Sequence, residues 1–320
     1  MDPTDRRVEA TTKIIGLQWS KNQDTLILST QRFKASTITR RTLLSFIHSH
    51  FDPLGLLAPV LLRLKIFHQD LTRTKLPWDE PIPQPSRSKI SEKHGKRRKS
   101  AYQLHRQRKH FSPRFHRCIS TCVCMRGTCP TRTKQQAWKT EEISLIRFIG
   151  NGNTSLHVFT HASVRAYACA VHVRQEQNNK VQTFLLFSKT RLCPISGLTI
   201  QRLELLAVLI GVRALNFVTT QLQLHGSPLY VWSDSKWALA WIQHNGEKLP
   251  RFVKNRHKEI RRYSGTQYAY VKSAHNPADI ATRGTSMNPL SNNSLWFHGR
   301  PWLQSSNVQW PSNIESRPLS

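Results

Sequence analysis

The sequence predicts an α/β fold, a mixed five-stranded sheet with flanking helices, preceded by a small α+β segment. Three observations predict it: three consecutive strand-like runs between Ser155 and Leu192, a long apolar segment of helical period after them, and two more strand-like runs alternating with helical ones up to Gly284. Short connections make the first three runs an antiparallel meander, and the later alternation makes the sheet mixed.

From the N-terminus, "KIIGLQWS" and "DTLILST" read as strands with a turn between them. In "TRRTLLSFIHSHFDPLGLLAPVLLRLKIFHQDLTR", Leu43, Leu44, Phe46 and Ile47, then Leu61, Leu62, Leu64, Ile66 and Phe67, recur at helical spacing. Asp52-Pro53-Leu54-Gly55 separates the two helices, and Pro59 can open the second because a proline at a helix start costs no hydrogen bond. This hairpin offers no catalytic chemistry. Beyond it, "SLHVFTHAS", "AYACAVHVRQ" and "KVQTFLLFSKTRL" are the three strands of the meander. "TIQRLELLAVLIGVRALNFVTTQLQ" places Leu203, Leu206, Leu209, Ile210 and Leu215 along one helix, with Thr199 as N-cap. "PLYVWSDS" is a buried strand ending in an acid, "KWALAWIQH" and "RFVKNRHKEIRRYS" are helices, and "QYAYVKSAHNPADIATRG" is a strand, a loop and a short helix.

Charge divides the chain. The 48 Lys and Arg against 18 Asp and Glu leave a formal charge of +30, which suits a polyanionic partner such as RNA, DNA or their hybrid, whose condensed counterions are released when basic side chains replace them. The plain alternative is a basic, partly disordered chain without a specific partner. From Pro85 to Thr140 there are 16 basic residues against one acid, Glu92, and few periodic apolar positions. Residues 84–142 are therefore expected to be a disordered or poorly packed basic insert. Its Cys118, Cys122, Cys124 and Cys129, with His110 and His116 nearby, invite a zinc reading, but the spacing matches no paired C-x-x-C knuckle. The N-terminus lacks the apolar run of a signal peptide, and no stretch is expected to reach the ~20 apolar residues of a membrane span. An intracellular protein, cytoplasmic or nuclear, without disulfides and without membrane partners, is the expectation.

Three acids sit where chemistry would use them. Glu204 lies in the first turns of the long helix, Asp234 at the carboxyl end of a central strand and Asp279 at the start of the last helix. Strand ends and adjoining helices converge on the crevice of an open α/β sheet. Acids gathered there repel unless they hold a divalent metal, and hard oxygen ligands select Mg²⁺ or Mn²⁺. Two such ions can activate a water and stabilise the leaving oxygen in phosphodiester hydrolysis. Singly, each acid reads as a solvated or capping residue. In "LHVFTHAS" the residue at the strand's end is His161, where a carboxylate would make better sense.

The motifs "LHVFTHAS", "LTIQRLELLAVLIGVRAL", "VWSDSKWALAWI", "FVKNRHKEI", "HNPADIATRG" and "SLWFHGRPWL", in this order, resemble the ribonuclease H-like domain of Pol polyproteins from BEL/Pao long-terminal-repeat retrotransposons. Upstream, "KIIGLQWS", "SHFDPLGLLAPVLLRLKIFHQDL" and "WDEPIP" resemble the segment between the reverse transcriptase palm and ribonuclease H of the same polyprotein. The resemblance covers residues 11–83 and 143–312 and is expected to fail over the insert, which looks like translation through a frameshift. It implies a reverse transcriptase connection remnant at 11–83, a ribonuclease H-like domain at 143–288, and a linker at 289–320 toward an integrase that is missing. It also implies Glu204, Asp234 and Asp279 as the second to fourth ligands of a four-acid metal site, with the first, normally the Asp of an F-[ST]-D-A-S pattern, falling on His161. Histidine offers one lone pair and no negative charge, so the catalytic set His161, Glu204, Asp234 and Asp279 is expected to be impaired and its Mg²⁺ or Mn²⁺ weakened or lost. No Y-x-D-D polymerase motif and no D-[ST]-G aspartic protease motif occurs. Two further readings stand beside this one: a non-catalytic protein in which Lys254, Arg256, Arg261 and Arg262 grip phosphates, and a decayed reading frame whose product folds in part.

Overall fold

The computed structural model describes residues 37–82, 153–178, 180–244, 246–305 and 310–311, with the backbone of four short strands nearer the N-terminus. Apart from the backbone of Glu142, the expected insert with its four cysteines and four histidines lies outside the described residues. The four strands, β1 (Thr11–Ile14), β2 (Leu17–Ser20), β3 (Thr25–Ile27) and β4 (Glu142–Ile143), form an antiparallel sheet in that order. "KIIGLQWS", expected as one strand, is shared between β1 and β2.

The helical hairpin consists of α1 (Arg40–His48) and α2 (Ala58–Arg73). Thr39 caps α1 through a reciprocal pair of bonds with Thr42, and Pro59 stands in the first turn of α2. The half-buried Asp52 carboxylate accepts the N–H groups of Leu56 and Leu57 at 2.8 Å each, which fixes the turn between the helices. Burial pushes its pKa up although those bonds favour the ionised form.

The main sheet runs β7-β6-β5-β8-β9, from β5 (Asn153–Ala162), β6 (Ala166–Gln177), β7 (Lys180–Leu192), β8 (Leu229–Ser233) and β9 (Thr266–Tyr270). β5, β6 and β7 pair antiparallel, while β8 runs parallel to both β5 and β9. Between and after the strands come α3 (Ile200–Gln221), α4 (Lys236–Gln243), α5 (Arg251–Ile260) and α6 (Pro277–Arg283), then the short helices α7 (Met287–Ser291) and α8 (Ser294–His298). Thr199 stands at the N-cap position of α3 as expected, but its side chain makes no capping bond.

Because side chains alternate across a strand, β5 and β6 feed two cores. Leu156, Val158, Val171 and Val173 pack under α3, α4 and α5. Ala168, Ala170 and Leu185 pack against Leu56, Leu57 and Leu61 of the hairpin, Ala281 of α6 and Trp296 of α8. Phe159 of β5 packs on that second face with Trp232, Val271 and Leu303, so both faces of the central strand are covered, which accounts for its unbroken burial from Thr154 to Ala162. α3 is long and apolar enough to cross a membrane by length and composition, which corrects the expectation that no such stretch exists, and here it packs in the core.

The hairpin docks tightly on the sheet. Ser188 donates its N–H to Leu54 O at 2.8 Å and its hydroxyl to Gly55 O at 2.5 Å. A Cβ at Gly55, whose φ is +74°, would lie 2.0 Å from Ser188 O, so this contact needs glycine for space and conformation alike. Residues 289–305, expected as a linker, supply buried core instead: Leu290, Trp296 and Leu303 are each at most 1% exposed. The Trp296 indole donates to Leu56 O of the hairpin, and its carbonyl lies 2.9 Å from His172 Nε2.

Candidate active site

β5 and β8 are paired in parallel with Thr160 opposite Ser233, so His161 and Asp234 leave adjacent strand ends side by side. α3 crosses beneath Thr160 at Gly211, where a Cβ would come within 2.7 Å of Thr160 Cγ2. Glu204 sits seven residues earlier on the same helix, two turns away and on the same face. Its carboxylate reaches the Ala162 N–H at the end of β5. From the opposite face comes α6, whose N-cap Asn276 is buried and donates its side-chain amide to Thr160 O at 2.9 Å. That bond ties the start of α6, and with it Asp279, to the end of the central strand. Helices on opposite faces therefore deliver their acids to one place, beyond the strand ends.

His161 is the hub. Its Nε2 lies 3.5 Å from Asp234 Oδ2 and 3.4 Å from Asp279 Oδ1, and its Nδ1 lies 2.7 Å from Thr282 Oγ1. Asp279 is also held by Arg283 Nε at 2.6 Å. Donor atoms of His161, Glu204 and Asp234 all lie within 4.8 Å of one another. Burial lowers the His161 pKa from its usual value, while the charges of Asp234 and Asp279 pull the other way. Burial, with repulsion from Asp234 and Asp279, pushes the Glu204 carboxyl up to about 8. Glu204 Oε2 and Asp234 Oδ1 are buried without a hydrogen-bond partner among the described residues, an expensive condition unless a cation answers it. The pocket therefore fits a divalent ion in its charge. It does not fit a Mg²⁺ pair, because the position shared by the strand ends carries one imidazole nitrogen in place of two carboxylate oxygens.

The four basic residues expected to grip phosphates divide. Lys254, Arg261 and Arg262 are exposed, whereas Arg256 is half-buried, with its guanidinium 3.8 Å from the Phe252 ring centroid and bonded to Phe252 O. Arg251 and Lys258, which sequence reasoning missed, are exposed and join Lys254 and Arg262 at spacings of three and four, one stripe along α5 and just past it. Asn276 and Thr282 were missed as well. The Asn-Pro start of α6 and the spacing of three from Asp279 to Thr282 were their only signals in the sequence.

A meander followed by parallel strands, with α3 crossing the central strand and acids meeting at the strand ends, defines a ribonuclease H-like fold. The chain belongs to the Pao retrotransposon-like RNaseH-like domain family, whose model matches residues 39–119 and 130–235. That span includes His161, Glu204 and Asp234 and ends before Asp279. It also corrects the expectation that the resemblance fails over residues 84–142, since only 120–129 are left out, and the frameshift reading loses its ground elsewhere in the insert. No curated protein matches the sequence. Among solved structures, the chain is similar to the N-terminal ribonuclease H domain of a Mycobacterium tuberculosis protein (12% identity, 41% of this chain and 91% of that one, TM-score 0.28). Ribonuclease H1 of Halobacterium salinarum gives 13% identity, 40% and 91% coverage and a TM-score of 0.26. A foamy viral protease-reverse transcriptase in complex with double-stranded DNA gives 10%, 82% and 38% coverage and 0.24. The family match and the strand order carry the assignment.

Proposed function

We propose that this chain is part of a retrotransposon Pol polyprotein of the BEL/Pao kind, a reverse transcriptase connection at 11–83 joined to a ribonuclease H-like domain at 143–288, with its hybrid-cleaving site disabled as written. The observation that carries the reading is His161, which faces Asp234 and Asp279 at 3.5 and 3.4 Å from the position where the family pattern has an acid. In an intact site a divalent pair would activate water and stabilise the leaving oxygen. Here Glu204, Asp234 and Asp279 remain to attract a cation, but an imidazole stands where the family pattern has a carboxylate. Loss of such a ligand removes several kcal/mol of transition-state stabilisation, so cleavage falls roughly a thousandfold or more.

Binding does not need the metal. The stripe Arg251, Lys254, Lys258 and Arg262, with the basic segment 84–142, supports sequence-indifferent binding of RNA, DNA and hybrids. This favours, as second reading, a non-catalytic nucleic-acid-binding role. The test is a labelled RNA–DNA hybrid incubated with the purified full chain, with and without Mg²⁺, over a series of salt concentrations. Salt-sensitive binding without cleavage is expected; Mg²⁺-dependent cleavage that Asp234→Asn abolishes would overturn the reading.

A further inference from the structure

The geometry points to a single-ion site for a borderline transition metal such as Zn²⁺, held by His161 Nε2, Glu204 and Asp234, in the pocket where the family pattern places a four-carboxylate set. This deepens the reading above, which treats His161 only as a loss. Three independent observations lead to it.

The first is the hydrogen-bond pattern behind the imidazole. The Thr282 hydroxyl donates to Asp279 O, one turn back on α6, at 3.0 Å, and a hydroxyl has a single proton to give. Its contact with His161 Nδ1 at 2.7 Å is then one that Nδ1–H donates. Nε2 keeps its lone pair, turned toward the carboxylates. A histidine whose far nitrogen is pinned to an oxygen while the near one faces other donors is arranged as metal-binding histidines are.

The second is distance. A proton on Nε2 would satisfy the same carboxylates through hydrogen bonds, but 3.5 Å to Asp234 and 3.4 Å to Asp279 exceed the usual N–H···O range of about 2.7–3.2 Å. Donor atoms about 2.0–2.2 Å from a tetrahedral centre stand roughly 3.3–3.6 Å apart; the spacings of His161 to Asp234 and to Asp279 both fall there, and the donor atoms of His161, Glu204 and Asp234 all lie within 4.8 Å of one another.

The third is unmet demand. The Asp234 side chain is 4% exposed and Glu204 is 8% exposed, yet Asp234 Oδ1 and Glu204 Oε2 have no partner among the described residues. One imidazole and two carboxylates form a mixed nitrogen and oxygen set of the kind zinc accepts and Mg²⁺, which prefers six oxygens, does not.

The test uses the full chain and Co²⁺ as a spectroscopic substitute for Zn²⁺, because an all-nitrogen-and-oxygen site gives visible d–d bands without the near-ultraviolet thiolate bands that binding at Cys118, Cys122, Cys124 or Cys129 would add. One equivalent of Co²⁺ with no thiolate bands is expected, at least about a hundredfold tighter than Mg²⁺ and displaced by Zn²⁺. His161→Ala and Asp234→Asn should each weaken it by about a hundredfold, with circular dichroism checking that the variants fold. Variants that bind as the unaltered protein does, or displacement by equimolar Mg²⁺, would overturn the inference. If neither variant folds, the unaltered spectrum decides: d–d bands that survive excess Mg²⁺ support the site, and their absence removes it. Absorbance reports binding and the hybrid gel reports cleavage, so an inactive protein that binds no Co²⁺ refutes this inference alone, whereas an active one refutes the disabled-site reading.

Discussion

The face of the sheet beneath α3 and the end of the same sheet at His161 share β5 and β8, yet different rules built them. Beneath α3 the contacts are apolar and close: Leu156, Val158 and Val231 meet Leu205, Val208 and Val212, all at most 1% exposed, and Gly211 lets helix and strand approach. At the strand ends three acids and a histidine crowd together, and two buried oxygens have no partner among the described residues. The first arrangement maximises packing; the second gives up stability to hold charge in readiness, as binding sites do. Neighbouring residues on one helix should therefore respond in opposite ways.

Leu205→Ala should show the largest effect, a loss of about 2–5 kcal/mol in urea unfolding, because the side chain is wholly buried and α3 is pinned too firmly to collapse onto the cavity. A loss below about 1 kcal/mol would mean that the α3 face is looser than its contacts indicate.

Acid should come next. On the opposite face, burial lowers His157 to about 3 and His172 to about 4. The unfolded chain, with histidines near pKa 6.5, then binds more protons than the folded one between pH 6.5 and about 4, so stability falls as pH drops through that window. Each histidine should remove about 2 kcal/mol between pH 7 and pH 5, measurable as a falling urea midpoint. His157→Gln should flatten part of that slope.

Gly211→Ala should cost about 1–3 kcal/mol, since the added methyl meets Thr160 and pushes α3 off the strand. It should also weaken metal binding by carrying Glu204 away from Asp234, and unchanged metal affinity would separate packing from site geometry.

Glu204→Gln should have the smallest effect at pH 5, within about 0.5 kcal/mol, because the carboxyl is neutral there. A carboxyl raised to about 8 in the folded state weakens the fold as pH climbs from 4.5 through 8, and glutamine escapes that loss. The variant should therefore melt at a higher temperature than the unaltered protein at pH 8.

Much of this was legible in the sequence because period and chain order are local. The meander, α3 and the ends of β5 and β8 follow from alternation and helical spacing, and the parallel pairing of β5 with β8 then brings His161 beside Asp234. What escaped depends on contacts far apart in the chain. The hairpin's docking rests on Gly55 meeting Ser188, and the covering of the second face rests on Trp296, Trp302 and Trp310, which follow no helical or strand period. Thr282 escaped because its role exists only once α6 is bonded through Asn276 to Thr160. The stacking of Arg256 on Phe252 was not legible, because composition counts charges but cannot say which one lies on a ring.

On the proposed reading the pocket keeps its architecture and has lost one ligand. A gel assay of a labelled RNA–DNA hybrid in Mg²⁺ tests it most directly, with the unaltered chain, His161→Asp and the double variant His161→Asp with Asp234→Asn side by side. The account predicts no cleavage by the first, cleavage by the second and none by the third, since Asp at 161 would restore the missing charge beside Glu204 and Asp234 while an amide at 234 is a much weaker ligand. Cleavage by the unaltered chain that is lost with Asp234→Asn, or a folded His161→Asp variant that stays inactive, would contradict it.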